Sequence, residues 1–219
     1  MTRTSENLSP ALHDYLVAHS SPVDEVLRDL AAETERLFPA SARLQIGPEQ
    51  GTFMTLLARM CGARDAVEVG TFTGYSSICL ARGLPEDGRL LACDVSEEWT
   101  AVARRYWERA GVADRVTLRI GPAIETLRSL PREPRFDLAF IDADKEGYVA
   151  YWEELVPRMR PGGVLLADNT FSHGRVIDPS VTSSAVQGIR DFNARVHADD
   201  RVEQVLLPIG DGLTLARRR

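Results

Sequence analysis

Lysine is almost missing from this chain. Of its 26 lysine and arginine residues, 25 are arginine, and the one lysine is Lys145. Cysteine is scarce as well. Cys61, Cys79 and Cys93 are an odd number with no metal-site spacing, which excludes a disulfide framework or a zinc ribbon. Their apolar contexts predict small buried thiols in a reduced, cytoplasmic setting. No apolar run approaches the roughly 20 residues that cross a bilayer, and the leading MTRTSENLSP is polar where a secretion signal would be apolar. A soluble protein with no membrane partner is expected. Excess positive charge is also lacking: the formal net charge of −6 argues against a nucleic-acid or anionic-membrane surface, and Arg217 to Arg219 is too short a run to change that. Repeats and low-complexity segments are absent.

What is present suits one sizeable core. At 219 residues and 44% hydrophobic, the chain is expected to be a single domain over 1–219, with 1–60 a helical cover or interface segment. From about residue 65, apolar runs at 66–70, 89–95, 115–121, 136–142 and 163–169 alternate with amphipathic stretches at 74–83, 95–110, 122–130 and 145–159. Near-continuous apolar runs predict strands covered on both faces, hence a parallel sheet in an α/β doubly wound fold. VEQVLLPIGDGLTLAR (202–217) is two apolar runs around Gly210-Asp211-Gly212, a hairpin that makes the last strand antiparallel. Seven strands with one reversed is the pattern of a Rossmann-like class I methyltransferase rather than a plain dinucleotide-binding sheet. Ahead of the sheet, helices are expected at 9–18, 22–37 and 48–61, with Ser9-Pro10 and Ser21-Pro22 as cap followed by proline, and a further helix at 183–197.

VEVGTFTGYSS (67–77) runs from a strand through a turn with Gly70 and Gly74 into a helix, an arrangement that lets backbone approach a ligand. It departs from G-x-G-x-x-G, which counts against NAD. Glu68 puts a carboxylate in the strand. That would repel a pyrophosphate but suits a cofactor with a cationic amine, as S-adenosylmethionine has. Asp94, 24 residues after Gly70, ends the second apolar run, where an acid hydrogen-bonds ribose hydroxyls in such sheets. A helix cap for 96–110 is the competing use. GPAIETL (121–127) follows the third run, on the adenine side of such a site.

FIDADKEGY (140–148) and LLADNTF (165–171) end the next two runs with Asp142, then Asp168 and Asn169. Neighbouring parallel strands bring these ends together at the crevice where α/β sheets bind ligands. Two carboxylates and an amide carbonyl are hard oxygen ligands suited to Mg²⁺, leaving about three positions for substrate and water. Capping of the following helices is the competing use of both acids. Lys145 stands beside them. Arginine is a fixed-charge fork, whereas lysine is a compact charge whose pKa shifts readily, so a lysine here suits a general base or a charge that holds the resulting phenolate.

EVGTFTGYSS, FIDADKEGY, LLADNTF and LPIGDGLTLARR, in order from about residue 40 to the C-terminus, together resemble the cation-dependent O-methyltransferases. These include catechol O-methyltransferase, the caffeoyl-CoA O-methyltransferases and bacterial natural-product members. The resemblance implies Mg²⁺-dependent methyl transfer from S-adenosylmethionine to a catechol-type small molecule, with Lys145 as catalytic base. It implies Asp142, Asp168 and Asn169 as metal ligands. Cofactor contacts would be Ile46, Glu68, Gly70, Thr71, Ser76, Asp94, Ala123 and Asp142, and substrate contacts Asp142 and His173. It also implies a homodimer. After Asp168-Asn169-Thr170 the plant members have Leu-Trp-Asn-Gly where this chain has Phe171-Ser172-His173-Gly174, which points away from plant-type acyl-CoA recognition.

Overall fold

The computed structural model describes residues 8–219; residues 1–7, including most of the polar leading stretch, lie outside it. Three helices come first: α1 (Pro10–Ala18), α2 (Glu25–Leu37) and α3 (Pro48–Met60). Ser9 caps α1 as its sequence predicts, its hydroxyl accepting from the Leu12 amide at 3.2 Å. α2 starts later than Ser21-Pro22 implied. Asp24 is its cap, accepting from the Leu27 amide at 3.1 Å, because a carboxylate offers the first turn a stronger acceptor than the hydroxyl of Ser21.

Seven strands follow, β1 (Asp65–Val69), β2 (Arg89–Asp94), β3 (Val116–Ile120), β4 (Phe136–Ile141), β5 (Met159–Ala167), β6 (Val202–Leu207) and β7 (Leu213–Arg218), in the order β3-β2-β1-β4-β5-β7-β6. β1 to β5 pair in parallel, and β7 runs antiparallel to both β5 and β6. The hairpin signal at Gly210 to Gly212 therefore reverses β7. Between them lie α4 (Tyr75–Gly83), α5 (Glu97–Arg109), α6 (Ala123–Ser129), α7 (Tyr148–Leu155) and α8 (Ser184–His197).

Alternation along the strands builds two cores. Leu138 and Phe140 of β4 join the layer under α2 to α5, while Ala139 and Ile141 face the layer under α6 to α8. Burial on both faces explains why β1, β2, β4 and β5 look uniformly apolar. β3 departs from that expectation, with Thr117, Arg119 and Ile120 exposed, because it is the sheet's outer edge. Two further expectations need correcting. The stretch 145–159 is not one helix: tight turns at Lys145–Gly147 and Val156–Arg158 flank α7, and Pro157, lacking an N–H, ends it. Cys61 is exposed while Cys79 and Cys93 are buried, because Cys61 sits at the C-cap of α3, where the helix meets solvent.

Candidate active site

The sheet order reverses direction between β1 and β4, and ligand crevices of α/β sheets open at such a point. A cavity of about 800 Å³ lies there, over the C-terminal ends of the strands. Ile46, Gly70, Thr71, Ser76, Asp94 and Ala123 line one part; Asp142, Lys145, Asp168, Asn169 and His173 line another. Every sequence-selected site residue except Glu68 reaches this wall.

The glycine turn is fixed from behind. Gly70 has φ +93°, and a Cβ there would lie 1.9 Å from the Asp142 carbonyl oxygen, so the loops after β1 and β4 touch backbone to backbone. Asp94 Oδ2 accepts from the amides of Thr71 (2.9 Å) and Phe72 (2.8 Å), and its Oδ1 accepts from the Ser96 amide at 2.8 Å. The cap of α5 is Ser96, which accepts from the Trp99 amide, so Asp94 is no helix cap. It anchors the turn, lines the cavity and keeps acceptor capacity on Oδ1. Phe72, itself at φ +50°, packs edge-on to Trp99 with ring centroids 5.0 Å apart; both rings line the cavity near Asp94.

Glu68 lies beneath this turn rather than on the wall. It is fully buried and accepts from the Ser77 and Thr71 hydroxyls through Oε2, while Oε1 has no partner among the described residues. Burial, only partly offset by the neighbouring Ser76, Ser77 and Thr71 hydroxyls, pushes its carboxyl up to about 7. Through Oε2 it supports Thr71, which lines the cavity.

At the other end, Asp142 and Asp168 project from adjacent strand ends. Burial and the Asp142 charge hold the Asp168 carboxyl well above the usual carboxylate range. Neither acid caps a helix. Asp168 Oδ2 accepts from Gln50 Nε2 at 2.9 Å and its Oδ1 from the Asn169 amide at 2.7 Å. Asp142 Oδ1 accepts from Lys145 Nζ at 2.9 Å. Asn169 has φ +58°, a left-handed conformation that Asn tolerates better than most residues, and this turns its side chain to the cavity wall. No trio of His, Cys, Asp or Glu side chains suited to a metal gathers among the described residues, so a cation here depends on the Asn169 amide as third ligand. Two crowded acids facing one lysine, with that amide beside them, fit a divalent cation in the chemistry of their donors.

His173 sits on the rim. Its side chain is 74% exposed, with Nε2 3.6 Å from Asp211 Oδ2, and its amide donates to Asp211 Oδ1 at 2.6 Å. Ser172 (φ +48°) and His173 (φ +53°) are both left-handed, strain of order 1 kcal/mol each that the hairpin contact holds in place.

Sequence reasoning missed Gln50 and Tyr148. Gln50 is buried in the first turn of α3 and bonds Asp168 across 118 residues, a contact no local pattern carries. Tyr148 is fully buried, and its hydroxyl accepts from Lys145 Nζ at 2.7 Å. Its i+3 spacing from Lys145 was the available signal.

A model of the family described as O-methyltransferase matches residues 17–219. "Probable caffeoyl-CoA O-methyltransferase 2" of Dictyostelium discoideum is 38% identical over 206 residues, 92% of this chain and 89% of that protein. The catechol O-methyltransferase of Niastella koreensis is 40% identical over 195 residues, 85% and 88% of the two chains. The crystal structure of the Streptomyces achromogenes O-methyltransferase TomG, in complex with SAM, superposes with a TM-score of 0.87 at 34% identity, covering 95% of this chain and 96% of that one. With the sheet order, the glycine turn and the paired strand-end acids in place, these matches establish that the chain belongs to the O-methyltransferase family.

Proposed function

We propose that this enzyme transfers the methyl group of S-adenosylmethionine to one hydroxyl of a vicinal dihydroxy aromatic small molecule, with a divalent cation, Mg²⁺, held by Asp142, Asp168 and Asn169. The observation that carries the reading is the meeting of those three side chains with Lys145 on one cavity wall. The SAM complex of TomG and the activity named for the Niastella relative support it. When bound, the cation supplies Lewis acidity that makes a phenolic hydroxyl easier to ionise. Lys145 takes the hydroxyl proton, and Asp142 holds its nitrogen at 2.9 Å. The oxygen's electron pair then forms the new C–O bond as the S–CH₃ bond breaks, leaving its electrons on sulfur. Asp94 and Thr71 hold the turn against which the methyl donor rests, so much of the rate comes from placing the two reactants. His173 is the rim residue facing the variable part of the substrate.

The test is methyl transfer from labelled S-adenosylmethionine to a panel of catechols, with Mg²⁺ and with EDTA. Turnover that EDTA abolishes and Mg²⁺ restores is the expected result. Turnover indifferent to EDTA would overturn the cation in favour of a metal-independent methyltransferase. We propose in addition that the enzyme is a homodimer, supported by the exposed Leu12 and Tyr15 of α1 and Leu56 and Met60 of α3. Sedimentation showing a monomer at micromolar concentration would refute that.

A further inference from the structure

Among the described residues Lys145 Nζ has two protein partners, Asp142 Oδ1 at 2.9 Å and the Tyr148 hydroxyl at 2.7 Å. Tyr148 cannot move far to make its contact. It is fully buried in the first turn of α7, and its ring packs edge-on to Phe192 with centroids 5.3 Å apart. From that seat the hydroxyl reaches the Asp168 carbonyl at 3.2 Å and the Ile141 carbonyl at 3.4 Å. Carbonyls only accept, so the single O–H of Tyr148 is committed to them, and the hydroxyl can only accept from Lys145. Ile141 ends β4 next to Asp142, and Asp168 follows β5. The tyrosine therefore ties the lysine to the same two strand ends that carry the acids.

We propose that Tyr148 is a positioning residue for methyl transfer. Its hydroxyl, with Asp142, fixes the Lys145 nitrogen so that the remaining substituent position faces the cavity, where the substrate hydroxyl lies. A lysine on four rotatable carbons and one ion pair would swing about that pair; a second, immovable partner removes this freedom. The Lys145 nitrogen also stands 4.8 Å from the Tyr148 ring centroid, so the ring walls one side of it. This inference rests on the functional reading above, in which Lys145 takes the substrate proton.

Tyr148→Phe keeps the ring and removes the hydroxyl, and it is tested on two substrates. Catechol must be deprotonated during the reaction, whereas 4-nitrocatechol is already largely ionised near neutral pH. On catechol, kcat is expected to fall about ten- to hundredfold with little change in KM. On 4-nitrocatechol the loss should be at least about tenfold smaller, because less depends on the base. In a Lys145→Ala background, adding Tyr148→Phe should cost less than about threefold, since the group it positions is gone. Calorimetric binding of S-adenosylmethionine and the thermal midpoint report whether the variant is folded. If it is not, replacing Tyr148 by 3-fluorotyrosine keeps the hydroxyl but weakens it as an acceptor, and should produce a smaller loss in the same substrate order. Equal losses on the two catechols, or losses that add in the Lys145→Ala background, overturn the inference alone. A wild-type enzyme that methylates neither catechol overturns the functional reading and this inference together.

Discussion

Glu68 is buried with no counter-charge beside it among the described residues, and its titration is one source of a pH-dependent stability. Its carboxyl moves from an ordinary 4.5 to about 7 on folding. Between those values the folded protein keeps a proton that the unfolded chain has lost. Stability from this residue is therefore complete below about pH 4.5, falls as pH rises, and is gone above about pH 7. The shift corresponds to about 3 kcal/mol. Glu68→Gln should remove that slope, bringing the denaturant midpoints at about pH 5 and about pH 8 closer together than in the wild type; an unchanged gap would count against it. Lys145→Ala should lower kcat by about 10²- to 10⁴-fold, the range for loss of a general base, with the affinity for S-adenosylmethionine kept; calorimetry beside steady-state kinetics separates the two. At this scale the sequence was informative where a residue broke the chain's own habit. Lys145 stood out among arginines, and Asp142 and Asp168 stood out at the ends of apolar runs. Glu68 was legible as a carboxylate in a covered strand, but its hydroxyl partners Thr71 and Ser77 were not, because the glycine turn and α4 bring them over it only in the fold.

α8 reaches the chemistry through a residue with no side chain. A Cβ on Gly188 would stand 2.5 Å from the Lys145 carbonyl oxygen and 3.0 Å from the Glu146 Cα. Alanine is the better helix former by about 1 kcal/mol, but the obstacle is backbone and cannot rotate away. The clash should win. Gly188→Ala is expected to push the Lys145 turn aside and cut kcat about tenfold or more, with S-adenosylmethionine binding nearly unchanged; a variant with normal kcat would show that the turn absorbs the methyl group freely. Gly70→Ala is the harsher case, since both its positive φ and the Asp142 carbonyl forbid the Cβ. A loss of stability of about 2–4 kcal/mol, read from denaturant midpoints, is the expected outcome. Strand positions were legible because burial on both faces writes a continuous apolar run. Helix starts were less so. Pro22 offered a start that Asp24 supplied instead, and Pro157 broke a stretch whose periodicity continued past it. In both places local capping and proline chemistry outweighed the pattern of apolar residues.

Across the whole molecule, residues from position 43 to position 211 converge on one cavity. Occupying it should stabilise the fold as a unit. At a hundredfold excess over its dissociation constant, S-adenosylmethionine would add about 2.7 kcal/mol. For a chain of this size that raises the thermal midpoint by about 5–10 °C. Mg²⁺ with a catechol should raise it further, an increment that Asp168→Asn removes; an equal increment in that variant would place the cation elsewhere. The convergence was readable from the order of strands and loops, but the Gln50 to Asp168 bond was not, since only the folded path brings α3 over the end of β5. The lone lysine has a practical consequence too. Its side chain is 23% exposed within the cavity, and the chain has no other side-chain amine. Reductive methylation with ¹³C-formaldehyde would therefore add one side-chain resonance to the protein's spectrum, and that resonance would come from the cavity over the strand ends. Each ligand that enters could be followed by the shielding of the methyl carbons on one nitrogen, without assigning anything else.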